Sequence, residues 1–97
     1  MGNQTLSFIQ EGREHKARFV STGTSVVQVH RDYEPNDIFG SLGVYAYLDG
    51  MPPVRIHYWT KYTGSNDMIF QVDVPAGVNV EIVSDYPVSS CNILTEE

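Results

Sequence analysis

The chain of 97 residues has a single cysteine, Cys91, which rules out an internal disulfide and any zinc site built on cysteine ligands. No run of about 18 apolar residues occurs, and no basic segment leads into an apolar one, so neither a membrane-spanning helix nor a signal peptide is expected and the chain reads as soluble. Basic residues are scarce: six Lys and Arg stand against twelve Asp and Glu, a formal charge of −6. Such a molecule repels nucleic-acid phosphates and anionic membranes, so neither is an expected partner. Catalytic signatures are missing as well. No serine sits in a Gly-x-Ser-x-Gly elbow, and Gly40-Ser41-Leu42-Gly43 is too short to cradle a phosphate and runs into a strand. Ser89-Ser90-Cys91 lies among apolar neighbours, where a free cysteine behaves as a small buried hydrophobe. The chain is therefore not expected to be an enzyme or to hold a cofactor.

Helical periodicity is also lacking, and alternation takes its place. Apolar residues recur at spacing two between turn signals, in segments too short for a packed helix. Leu6 and Phe8, then Ala17 and Phe19, alternate with polar residues on either side of Glu11-Gly12, which predicts an opening hairpin. A strand follows at 25–31, and Tyr33-Glu34-Pro35-Asn36-Asp37 reads as a turn cluster leading to Gly40 and Gly43. Val44, Ala46 and Leu48 form the next alternating set, and Asp49-Gly50-Met51-Pro52-Pro53 turns the chain into Val54–Trp59, a second hairpin. After the turn at Thr63–Asp67, the set Met68, Phe70, Val72 and Val74 meets Pro75-Ala76-Gly77. Val78, Val80 and Ile82 follow, and this is the clearest predicted hairpin. A last strand near 88–94 carries Cys91, and Thr95-Glu96-Glu97 reads as a solvated tail. About eight short strands, each with one apolar side, predict an all-β fold. The expected architecture is a single-domain antiparallel β-sandwich over 1–97, jelly-roll or Ig-like.

The stretch from Val54 to Tyr62 says most about function. Period two sends Val54, Ile56, Tyr58, Thr60 and Tyr62 to one face and Arg55, His57, Trp59 and Lys61 to the other. A hairpin with Leu48 opposite Val54 sets Tyr47 across from Arg55 and Tyr45 across from His57. Tyr45, Tyr47, Arg55, His57, Trp59 and Lys61 then share one sheet surface, a positive island on an acidic molecule. Flat rings offer apolar faces on which a sugar stacks, and Arg55 and His57 supply fixed donors. The same stripe also fits an ordinary solvated face or a contact between proteins. The expectation is a non-enzymatic binding module for a carbohydrate or small polar ligand. The alternative is a structural or protein-interaction subunit that oligomerises through that face or through its edge strands.

Two acidic or histidine-bearing sets are read as ordinary structure. Asp32-Tyr33-Glu34-Pro35-Asn36-Asp37 places four oxygen-bearing side chains in six residues, but it lacks the glycine and terminal glutamate of a calcium loop and is read as a turn. His15, His30 and His57 are too far apart to form a motif, although His30 and His57 could share a sheet beside an aspartate. No metal site is expected.

Overall fold

The computed structural model describes residues 2–31, 41–60 and 67–95, which contain nine strands and no helix. In chain order these are β1 (Gly2–Thr5), β2 (Ile9–Glu11), β3 (Glu14–Val20), β4 (Ser25–Arg31), β5 (Leu42–Tyr47), β6 (Val54–Trp59), β7 (Asp67–Val72), β8 (Asn79–Ser84) and β9 (Val88–Thr95). They form two antiparallel sheets, a smaller one of order β1-β9-β4-β7 and a larger one of order β2-β3-β8-β5-β6. The pairings nest. β5 pairs with β6, β4 with β7, β3 with β8 and β1 with β9, like one long hairpin whose tip lies between β5 and β6. The additional pairs β4 with β9 and β5 with β8 roll that hairpin into two layers. Of the two expected sandwich types, this is the jelly roll.

Alternation explains why the layers close. Val27 and Val29 of β4, Phe70 and Val72 of β7 and Cys91 and Ile93 of β9 point in from the smaller sheet. Leu42 and Val44 of β5 and Val80 and Ile82 of β8 meet them from the larger sheet. The radius of gyration is 13.0 Å, the size of one compact domain of about 100 residues, so the two sheets enclose a single core. At one end of the core Arg31 is fully buried, and its Nη1 donates to the Ser41 carbonyl at 3.3 Å.

Most strands lie close to where alternation put them, but the termini differ: the chain opens with β1, Leu6 and Phe8 fall between β1 and β2, and Thr95, expected in a solvated tail, is the buried last residue of β9. One connection also differs from expectation. The Gly12-Arg13 turn does join β2 to β3 as a hairpin, with Gly12 at φ 66°, the positive value a two-residue turn needs. The segment Pro75-Ala76-Gly77, in contrast, makes no hairpin. β7 belongs to the smaller sheet and β8 to the larger, so the chain arches across the sandwich there. Ser21, 2% exposed between β3 and β4, pins this arch. Its hydroxyl lies 3.1 Å from the Val74 carbonyl, its amide donates to the Val78 carbonyl and its own carbonyl accepts from the Gly77 amide. Two alternating strands around a turn look alike whether they pair side by side or face each other across a core, because both arrangements bury the same set of residues.

Candidate functional site

The outer face of the larger sheet is built from the residues between the buried ones. In β3, Ala17 is buried and Lys16 and Arg18 lie on the other side; in β8, Val80 and Ile82 are buried and Glu81 and Val83 alternate with them. β5 buries Leu42, Val44 and Ala46, leaving Gly43, Tyr45 and Tyr47 on the outer side. Strand register then aligns Arg18 with Glu81, Glu81 with Tyr45 and Tyr45 with Arg55, a row of cation, anion, ring and cation across β3, β8, β5 and β6.

The row is held by charge-assisted hydrogen bonds. Arg18 Nε donates to Glu81 Oε2 at 2.6 Å and Nη1 to Glu11 Oε2 at 2.9 Å. The hydrogen bond from Arg18 is the main reason that the Glu11 carboxyl is held below the usual carboxylate range. Hydrogen bonds to Glu11 and Glu81 in turn push the Arg18 guanidinium above its ordinary value. Next to the row, Arg55 Cζ lies 4.5 Å from the centre of the Tyr58 ring, a cation–π contact. Tyr45 folds back along its own strand, so that a Cβ added at Gly43 would come within 2.9 Å of Tyr45 Cε1. Glycine there makes room for the ring. Glu14, Lys16, Tyr45, Pro53, Glu81 and Val83 line an open groove of ≈ 190 Å³ on this face.

The expected set of six does not assemble on one surface. Tyr45, Tyr47 and Arg55 lie on the outer face, but Tyr45, not Tyr47, is opposite Arg55, and Val54 pairs with Ala46, not Leu48. Leu48 is taken up by the tip instead: its carbonyl accepts the Met51 amide at 2.9 Å, which closes a turn before Pro52 and Pro53. A β-bulge then falls in β6, where the register jumps from Tyr45–Arg55 to Val44–His57 and leaves Ile56 as the extra residue. One extra residue inverts every side chain beyond it. His57 and Trp59 therefore pair with the buried Val44 and Leu42 and lie on the core side of the sheet. Trp59 packs on Phe70 of β7 with ring centres 5.0 Å apart, and His57 stacks on Trp59 at 5.7 Å. Tyr58 takes the outer position instead. Lys61 lies outside the described residues, as does the Asp32–Asp37 loop.

The remaining chemistry-bearing residues are dispersed. His30 is in the smaller sheet, where its Nδ1 meets Asp67 Oδ1, and His57 is in the larger, so the two histidines do not share a sheet. Among the described residues no three His, Cys, Asp or Glu side chains gather as a metal site. Cys91 is 1% exposed, and burial pushes its thiol up to about 11, so it stays protonated at neutral pH. No family model matches this chain, and no curated protein or solved structure matches it.

Glu81, Glu14, Lys16, Pro53 and Tyr58 are the site residues that the sequence reading left out. For Glu81 a signal existed, since it is the charged residue between two buried ones in Val80-Glu81-Ile82. Its neighbours did not show, because they depend on β8 lying between β3 and β5.

Proposed function

We propose that the chain is a non-enzymatic binding module that takes a carbohydrate or small polar ligand on the outer face of its larger sheet. The observation that carries this reading is Tyr45 flanked in register by Glu81 and Arg55, beside a groove with Lys16 and Glu14 on its wall. A sugar needs this combination: a ring for its C–H face, an acceptor and a donor for its hydroxyls. The Arg18 hydrogen bond orients Glu81, whose side chain is 12% exposed, and so presents a pre-set acceptor. The groove is too small and open to enclose a drug-sized molecule, which fits contact with one or two rings of a larger glycan. Two carboxylates in its wall and the formal charge of −6 favour a neutral glycan over a polyanion.

Glycan and oligonucleotide arrays at two ionic strengths, with wild type and Tyr45→Ala, test the proposal. Expected are glycan binding with little salt dependence and a loss of about tenfold in Tyr45→Ala, since a stacked ring is worth on the order of 1 kcal/mol beyond its buried area. Binding that Tyr45→Ala leaves unchanged rejects this site. Oligonucleotide binding that falls steeply with salt rejects the ligand class.

A further inference from the structure

An open sheet edge offers unpaired backbone groups to any strand that fits, and natural sheets blunt their edges with short strands, bulges, lysine or proline. Three of the four edges here are blunted. β1 has four residues and β2 has three, and β6 carries both the bulge at Ile56 and Arg55. Among the described residues the fourth, β7, carries none of these devices. It runs six residues in unbroken register against β4, without proline, lysine or bulge. Among the described residues it pairs with no other strand. Its outward Ile69 is 67% exposed, the highest value among the exposed large hydrophobic residues.

From this edge we infer that β7 pairs antiparallel with β7 of a second copy, joining the two smaller sheets into one continuous sheet across a two-fold axis. The inference is independent of the glycan reading, which concerns the other sheet. Side chains directly opposite each other must point to the same face, so the axis has to pass through a residue pair. A pivot at Phe70 sets Asp67 opposite Asp73 of the second copy, two like charges on an already acidic molecule. A pivot at Ile69 sets Ile69 against its own copy, Asp67 opposite the Gln71 amide of the second copy, and Met68 opposite Phe70. Of the two registers that pair five residues of β7, charge selects the one centred on Ile69. The flank beside β7 supports the same contact: Trp59 and Met68 are only partly buried there, and His57 is exposed. A second copy covers this apolar seam as well as the edge. Five paired residues make a contact at the small end of specific interfaces, so the expected dissociation constant is micromolar, on the order of 10 µM.

Sedimentation from about 1 to about 300 µM, a range that brackets this affinity, should show a reversible monomer–dimer equilibrium. Ile69→Lys puts two cations face to face at the axis and should weaken dimerisation at least tenfold, with circular dichroism confirming the fold. Ile69→Cys should cross-link into a covalent dimer under mild oxidation, because opposed residues of an antiparallel pair lie within disulfide reach. Leu94→Cys, on the same outer face but two strands away, should not. The native Cys91 is buried and does not compete. A monomer at every concentration overturns the inference. So does a dimer that survives Ile69→Lys, fails to cross-link at position 69, or cross-links equally at position 94.

Discussion

The outer faces of the two sheets are made from the same alternation yet carry opposite chemistry. On the larger sheet, Glu11, Glu14, Lys16, Arg18, Glu81 and Arg55 surround Tyr45 and Tyr58. On the smaller sheet, the outward residues include Asn3, Val26, Gln28, Ile69, Asn92 and Leu94, which line one shallow hollow with no charge among them. An ionisable pair on that face, His30 with Asp67, sits where β4 ends and β7 begins. Inner faces must be apolar to form a core, and so they resemble each other. Outer faces are free of that demand, and their differences are where function is written. Fixed charges and rings suit a small polar ligand, whereas a face with few charges, bordered by an edge strand that pairs with nothing further among the described residues, lets a second acidic molecule approach.

If the inner faces are equivalent, truncating either should cost the same. Ile82 in the larger sheet and Ile93 in the smaller are both essentially inaccessible, at 0% and 1%. Ile82→Ala and Ile93→Ala should each lose about 2–5 kcal/mol in urea unfolding, from lost burial and the cavity left behind. A loss well below this range at either position would show that its side chain is not part of the shared core.

The outer face of the larger sheet can be perturbed without removing any of its functional groups. Gly43→Ala places a methyl against the Tyr45 ring, which must swing away. Replacing glycine in a strand gains about 0.5–1 kcal/mol, roughly offset by moving the ring, so unfolding should change by less than about 1 kcal/mol. Glycan affinity should nevertheless fall several-fold, measured by titration calorimetry. Unchanged affinity would mean that the position of the Tyr45 ring is irrelevant to binding.

The smallest effect concerns charge. Glu11 has a folded-state pKa below its ordinary 4.5, so its contribution is present above that value and is lost as pH falls through the lower folded value. Arg18→Gln removes the cause. The stability difference between wild type and Arg18→Gln should therefore shrink as pH drops below about 4.5, read from urea midpoints between neutral pH and pH 3. At neutral pH the share of the gap that comes from Glu11 should be small, because that pair is exposed. A gap that is constant with pH would mean that Arg18 acts through packing alone.

Much of this was legible in the residues. Val27, Val29, Phe70, Val72, Val80 and Ile82 each announce an inward position by alternation, and Gly12, Gly50 and Gly77 mark turns at positive φ. Tyr45, Tyr47 and Arg55 were legible as outward residues of the β5–β6 hairpin. The misplacement of His57 and Trp59 has one cause, the bulge at Ile56, and a bulge leaves no residue signature when it occupies a run such as Val-Arg-Ile-His-Tyr-Trp, where every residue suits a strand.

By itself, then, the sequence determined most of the strands and which side of most of them is apolar, because backbone preference and period-two burial act within a few residues. Only the tertiary structure decided which strands are neighbours. The arch from β7 to β8, the row Arg18–Glu81–Tyr45–Arg55 and the open edge of β7 all depend on contacts between residues distant in the chain. Such contacts are chosen by how the two sheets share one core, a competition among whole pairings that no single segment encodes.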